Sequence, residues 1–171
     1  PCDTVVVAAG LKPNVDLLEK MGCAIDSATG GPVVNELLET TVPGVFAAGN
    51  ALVVNDLVDY AAEQGERAAE GAKLFVEEGI PAAKWVKVVK GRNVRLVVPH
   101  FVSGEREVTL YARVERPEKG VFARVPEARF QAYSVAVRPA EMLRLVLKPE
   151  QLRGALVEGK LTLEVVPRER S

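Results

Sequence analysis

Two adjacent residues carry the clearest chemistry in this chain: Gly49, which has no side chain, and Asn50, whose amide both donates and accepts hydrogen bonds. They close the run Thr41-Val42-Pro43-Gly44-Val45-Phe46-Ala47-Ala48, a short apolar stretch opened by a Pro-Gly turn pair. A residue without a Cβ accepts backbone angles that others resist and lets phosphate or sugar-alcohol oxygens approach the main chain. Asn50 then offers its amide to hydroxyl groups. Val45 to Ala48 reads as a strand buried on both faces of a parallel sheet. For these residues alone, the plainer reading of a buried strand ending in a Gly-Asn turn has the better claim.

The flanking elements must position that turn. Upstream, Asp3 to Gly10 is a β-branched run that ends in small residues and leads to a Pro13-Asn14 turn. Asn14 is placed to cap a short helix whose apolar face is Val15, Leu17, Leu18 and Met21, with Gly22 as its stop. Downstream, a long helix is expected from about Val58 to Glu78, stopped by Gly79 and Pro81, with Asp56 and Asp59 as acceptors at its start. Ala61, Ala62, Gly65, Ala68, Ala69 and Ala72 recur at spacings of three and four, so this helix has a small-residue face suited to close packing.

In order and spacing, these three segments resemble the C-terminal portion of the FAD domain in the pyridine nucleotide-disulphide oxidoreductase superfamily. The resemblance covers residues 1 to about 80. It rests on the strand and Gly-x-x-Pro-Asn turn of 3–14, the Thr-x-x-Pro-Gly-x-Phe-Ala-x-Gly element of 41–49, and the helix that follows. It implies that Gly10, Ala48, Gly49, Asn50, Val58 and Asp59 line an FAD in an intact enzyme that uses NAD(P)H as co-substrate. The helix end near Val58 would then face the N1 and C2-carbonyl edge, where reduced flavin gathers negative charge. Asn50 departs from the Asp that most of the superfamily carries, although an amide oxygen accepts the same bond. The run Gly49 to Asp59 resembles a subgroup of bacterial and archaeal FAD-dependent oxidoreductases found beside glycerol-3-phosphate dehydrogenase-like proteins. That likeness implies a partner subunit of that type, and two cysteines without a disulfide framework fit a cytoplasmic oxidoreductase.

No Gly-x-Gly-x-x-Gly occurs, so neither nucleotide-binding turn of such an enzyme is in this chain. The expectation is a piece of a flavoprotein, inactive and nearly colourless by itself. Its α/β layer would be incomplete, and a second copy is one way to complete it through an exposed edge. The alternative is a non-catalytic protein-interaction module with a relic flavin-binding segment. Cys2 and Cys23 form no redox-motif pair, and His100, the sole histidine, reads as a partly exposed strand residue. With 22 basic and 23 acidic residues interspersed, no nucleic-acid footprint is expected. No metal site, signal peptide or membrane-spanning run is read either.

The character of the sequence changes near Ile80 to Lys84, which divides a flavin-domain segment, 1–83, from a β-rich one, 84–171. Strands are expected at Trp85 to Val89, Val94 to Val98, Val108 to Val114, Val121 to Val125, Phe130 to Val137, Leu143 to Leu147 and Leu161 to Val166. Such a series predicts an all-β, immunoglobulin-like sandwich, with a small barrel as the other possibility. The fold class is thus mixed: an incomplete α/β layer followed by a sandwich. The arginines at 92, 95, 106, 113, 116, 124 and 129 lie among acidic residues and read as a solvated mixed-charge face. The sandwich is expected to serve as a docking module, with Pro139 to Leu143 resembling a recurrent element of the subgroup.

Overall fold

The computed structural model describes residues 1–7, 10–79 and 83–168. The boundary expected near 80–84 falls partly on residues outside that set. Helix α1 covers Asp16–Lys20, α2 Val58–Glu78 and α3 Pro149–Glu158. The strands are β1 (Val86–Lys90), β2 (Val94–Val98), β3 (Phe101–Val102), β4 (Val108–Val114), β5 (Glu118–Val125), β6 (Phe130–Val137), β7 (Leu143–Leu147) and β8 (Lys160–Pro167).

All seven expected strands are present, but the β-rich segment is not all-β and not wholly antiparallel. One sheet has the order β3-β1-β8-β5-β6 and contains a parallel β1–β8 pair; the other is β2-β4-β7. Helix α3 forms the crossover into β8. Its start carries Pro149 in the first turn and Gln151 accepting the Lys148 N–H at 2.8 Å, and Gly159 ends it. The two sheets share a core in which Leu110, Val114, Val121, Val125, Leu147, Leu161 and Leu163 are fully buried.

Strand β4 is where alternation alone misleads. Val108, Leu110, Ala112 and Val114 line the shared core as their spacing requires, but Tyr111 and Arg113 on the opposite face are buried too. That face is covered by the N-terminal segment. Val34, Leu38, Ala47, Leu52 and Val53 pack there with Leu96, Val98, Tyr111 and Met142 in a second core. The strand is therefore buried on both sides, like the middle of a three-layer stack.

Arg113 is not part of a solvated face. Its guanidinium donates to the carbonyls of Pro139 (3.2 Å) and Ala140 on one side, and to that of Val54 (3.0 Å) on the other, with Asp56 Oδ1 at 3.5 Å. Asp56 Oδ2 accepts the Met142 N–H at 3.0 Å, so it ties down the 139–142 loop rather than capping α2. Glu36 does the same work at another point: its buried carboxylate accepts from the Ser103 main chain at 2.7 Å and from the Ser103 hydroxyl, with Arg106 at 3.3 Å. The remaining arginine pairs, such as Arg124 with Glu164 and Arg116 with Glu118, are nearer the surface.

The N-terminal segment departs most from expectation. Residues 3–7 form no strand, and Val5, Val6 and Val7 are 77–83% exposed. The run 45–48 forms no parallel strand; Phe46 makes one antiparallel bridge to Glu39, and Ala47 N–H donates to the Leu38 carbonyl at 3.0 Å. In α1 the cap position is Val15 and not Asn14, and Leu17 and Met21 are exposed, though Gly22 does end the helix. A strand needs a neighbour to bond, and among the described residues these runs have none to complete a sheet.

Helix α2 matches its expected span, but it packs by a different face. Gln64 and Gly71 are its buried residues, while Ala62, Gly65 and Ala69 face solvent. A Cβ at Gly71 would stand 2.6 Å from the Leu37 carbonyl oxygen and 2.8 Å from the Phe46 ring, whereas at Gly65 it would meet nothing within 4 Å. Gly65→Ala should therefore stabilise the chain in urea unfolding by about 1 kcal/mol through helix propensity. Gly71→Ala should destabilise it by about 2 kcal/mol through overpacking. Replacing Arg113 by Met should cost about 3 kcal/mol in the same assay, because three carbonyls and a carboxylate lose a buried donor. Lysine at 113, a single point donor, should recover less than half of that loss.

Candidate functional site

Gly49 begins a 3-10 turn, Gly49–Ala51, in a left-handed conformation with φ +62°. That angle favours a residue without a Cβ, and the direction a side chain would take leads to the Cβ of Ala61, 3.8 Å away on α2. The Gly49 carbonyl accepts from the N–H groups of Leu52 (3.0 Å) and Val53 (3.1 Å), which tightens the turn. Its N–H donates to Gln64 Oε1 at 3.0 Å.

A clasp of three amides holds this turn to the helix. Gln64, only 1% exposed, accepts from Gly49 and from Asn55 Nδ2 (3.2 Å), and donates through Nε2 to Asn55 Oδ1 (3.0 Å). Asn50 Oδ1 in turn accepts the Asn55 main-chain N–H at 3.0 Å. The Asn50 carbonyl, expected to meet a ligand hydroxyl, is thus engaged inside the loop. Its amino group takes no protein acceptor among the described residues, and the side chain is exposed.

Ala48, Gly49 and Asn50 lie beside the opening turns of α2, whose first residues Val58 and Asp59 are exposed. Leu57 is the cap residue and supplies no side-chain bond, and among the described residues no side chain accepts from the N-terminal amides of α2. Gly10 is exposed at φ +72°, and a side chain there would meet no atom within 4 Å. The chain therefore brings Ala48, Gly49, Asn50, Val58 and Asp59 to one end of α2. Gln64 and Asn55 were not singled out by sequence reasoning. Gln64 shares a helical line with Tyr60, Ala68, Gly71 and Phe75, and a lone amide on such a buried line needs polar partners.

Two ionisable groups fix the surroundings. Glu63, one residue before Gln64, bonds Arg144 Nε at 2.9 Å and the Tyr111 hydroxyl at 2.7 Å. The Arg144 bond holds the Glu63 carboxyl below its usual range against the effect of burial, and burial together with Glu63 pushes the Tyr111 phenol up. His100 lies between β2 and β3, with its side chain 14% exposed, and is not a strand residue. Its Nδ1 accepts the Val34 N–H at 3.1 Å, which puts the proton of the neutral ring on Nε2. That atom has no hydrogen-bond partner among the described residues; Asp26 Oδ2 stands 3.6 Å away. Cys23 is buried with its thiol 3.3 Å from the Thr40 hydroxyl, and Cys2 is exposed.

With this geometry in view, comparison with known proteins is informative. Residues 1–65 match the pyridine nucleotide-disulphide oxidoreductase family, so the likeness resides in the segment that carries the Gly49 turn and the start of α2. The chain is similar to an NADH oxidase of Methanocaldococcus jannaschii, 36% identical over 58% of this chain and 19% of that protein. It is also similar to a CoA-dependent NAD(P)H sulfur oxidoreductase of Pyrococcus abyssi, 42% identical over the same shares. A dihydrolipoyl dehydrogenase of Bacillus subtilis aligns across 96% of this chain and 34% of its own length at 27% identity. The chain thus spans about a fifth to a third of these curated relatives. No solved structure matches it. Among the described residues, no helix is long and apolar enough to cross a membrane.

Burial, offset in part by Asp26, lowers the His100 pKa from its ordinary 6.5. A group protonated less readily in the folded state leaves stability unchanged above the unfolded value and subtracts from it as pH falls below. Urea-unfolding stability should thus be level above about pH 7 and decline between about pH 6.5 and pH 5. His100→Asn should flatten that decline. The carboxyl of Asp26 is half-buried, which opposes its ionisation, yet the Thr29 N–H and His100 lower its pKa, so its own contribution is lost only at more acid pH, below its ordinary 3.8.

Proposed function

We propose that this chain is the C-terminal part of an FAD-dependent NAD(P)H oxidoreductase, in which the Gly49-Asn50 turn and the start of α2 face the flavin. The observation that carries this reading is the Gly49 turn itself: a left-handed glycine held by a buried amide clasp against an uncapped helix start, inside the segment that matches the oxidoreductase family. The uncovered apolar surface of the same segment supports it. Val5, Val6, Val7, Leu11, Leu17 and Val58 are all more than 70% exposed, on a chain whose β-rich portion buries most of its strands. In this reading that surface packs against the remainder of the FAD domain.

The residues present fit such a cofactor in three ways. The bare backbone at Gly49 admits a polyol chain at close range. The free amino group of Asn50 donates to a hydroxyl, where an Asp would have accepted. The first-turn amides at Val58 and Asp59, at the positive end of the α2 dipole, favour the charge that gathers on a reduced ring, with the Asp59 carboxylate partly offsetting them. FAD, when bound, supplies the hydride and electron transfer; no residue of this chain acts as acid, base or nucleophile in that scheme. The likeness of residues 49–59 to the subgroup extends the proposal to a cytoplasmic enzyme with a glycerol-3-phosphate dehydrogenase-like partner subunit.

The test uses the full open reading frame. Purified intact protein should be yellow, and Gly49→Val should weaken FAD retention about tenfold or more while leaving the far-ultraviolet circular dichroism unchanged. A Gly49→Val protein that holds FAD as tightly as wild type would overturn the proposal.

A further inference from the structure

His100 and Val34 hold the N-terminal segment to the corner between β2 and β3 by two reciprocal bonds. The His100 main-chain N–H donates to the Val34 carbonyl at 2.9 Å, and the Val34 N–H donates to His100 Nδ1 at 3.1 Å. The next residue, Asn35, bridges Phe101 of β3 in parallel. Val34 is only 1% exposed and belongs to the second core, so its amide depends on the ring for a partner.

A second partner for the ring stands on the same segment. Nε2 is buried without a hydrogen bond among the described residues, which is rare for such a group, and Asp26 Oδ2 lies 3.6 Å away, just beyond bonding distance. Asp26 opens the turn that leads back to Val34, with its N–H bonded to the Gly31 carbonyl at 2.8 Å. Asp26 from this turn and Lys90 from β1, whose Nζ is bonded to the Arg95 carbonyl, are the charges that act on the ring. The adjoining residues of β2 and β3, Val98, Pro99, Phe101 and Val102, carry none.

We propose that His100 is an acid-operated latch: the neutral ring holds the Val34 amide, and a proton taken from solvent at Nδ1 transfers the ring to Asp26 and frees that amide. A neutral imidazole has one donor and one acceptor, whereas an imidazolium has two donors. Protonation therefore sets the ring N–H against the Val34 N–H, and their bond breaks. The cationic ring closes on the Asp26 carboxylate in a charge-assisted bond. The bond from the His100 N–H to the Val34 carbonyl survives, so the segment loosens around Val34 without detaching. Any buried histidine lowers global stability in acid; a latch opens one named bond and forms another. It is independent of the flavin reading, since neither partner belongs to the Gly49 turn.

Nitrogen-15 NMR on the 171-residue chain tests the latch, because the ring signal of the sole histidine is unambiguous. Val34 amide exchange, corrected for its intrinsic pH dependence, should quicken about tenfold or more as the ring titrates below about pH 6.5, and by more than the amides of β5 and β8. His100→Asn, which offers an oxygen in place of Nδ1 and takes no proton, should keep Val34 protected down to about pH 5. Asp26→Asn should move the ring titration and the Val34 response together to lower pH, by about threefold or more in proton affinity. Val34 exchange that ignores the ring titration overturns the proposal. So does an Asp26→Asn protein whose ring titrates as in the wild type, or a His100→Asn protein that releases Val34 in acid as the wild type does.

Discussion

One buried guanidinium joins the two halves of this chain. Arg113 projects from the centre of the three-stranded sheet, away from the main core, and its donors reach the Val54 carbonyl of the N-terminal segment and the Pro139 and Ala140 carbonyls of the loop before β7. Burying a guanidinium is costly unless its donors are met, and the planar fork of arginine meets several acceptors at once. Asp56 completes the arrangement by holding Arg113 and the Met142 N–H together. Around this joint the second apolar core closes, and the loop 50–56, which carries Asn50 and Asn55, acquires a fixed position over the sheet.

That fixed position is what shapes the Gly49 turn. Leu52 and Val53, just after it, are buried in the second core, while Gln64 grips it from α2. Glu63, the neighbouring helix residue, bonds Tyr111 and Arg144 of the same sheet, so α2 is registered against the β-rich segment by adjacent polar contacts. The C-terminal segment is the platform on which the turn and the helix start are held. The opposite face of α2, with Ala62, Gly65 and Ala69, points away from that platform.

Much of this was legible in the residues. The span of α2 followed from its small-residue periodicity and the glycine stop, and the strands followed from alternation bounded by turn residues. What escaped had physical reasons. Arg113 resembles a surface charge in sequence because burial of a cation depends on acceptors distant along the chain, here at 54 and at 139–140. Helix α3 carried its signals, a proline at the first position, Gln151 and Gly159, but these lay inside a region read for alternation. The expected strands at 3–10 and 45–48 have the right composition, yet a strand exists only through pairing, and the described chain offers 3–7 no partner. The role of Asn50 was half legible: its amide is at a turn, but its carbonyl serves Asn55.

The central claim is that the turn at 47–50 lies against the sugar-alcohol chain of a flavin in the intact protein. Its most direct measurement is a crystal structure of the full open reading frame with FAD bound. The account predicts that the cofactor's ribityl chain runs over Gly49 within van der Waals contact, with the ring edge toward the first turn of α2. An FAD located elsewhere, with residues 47–50 remote from it, would contradict the account.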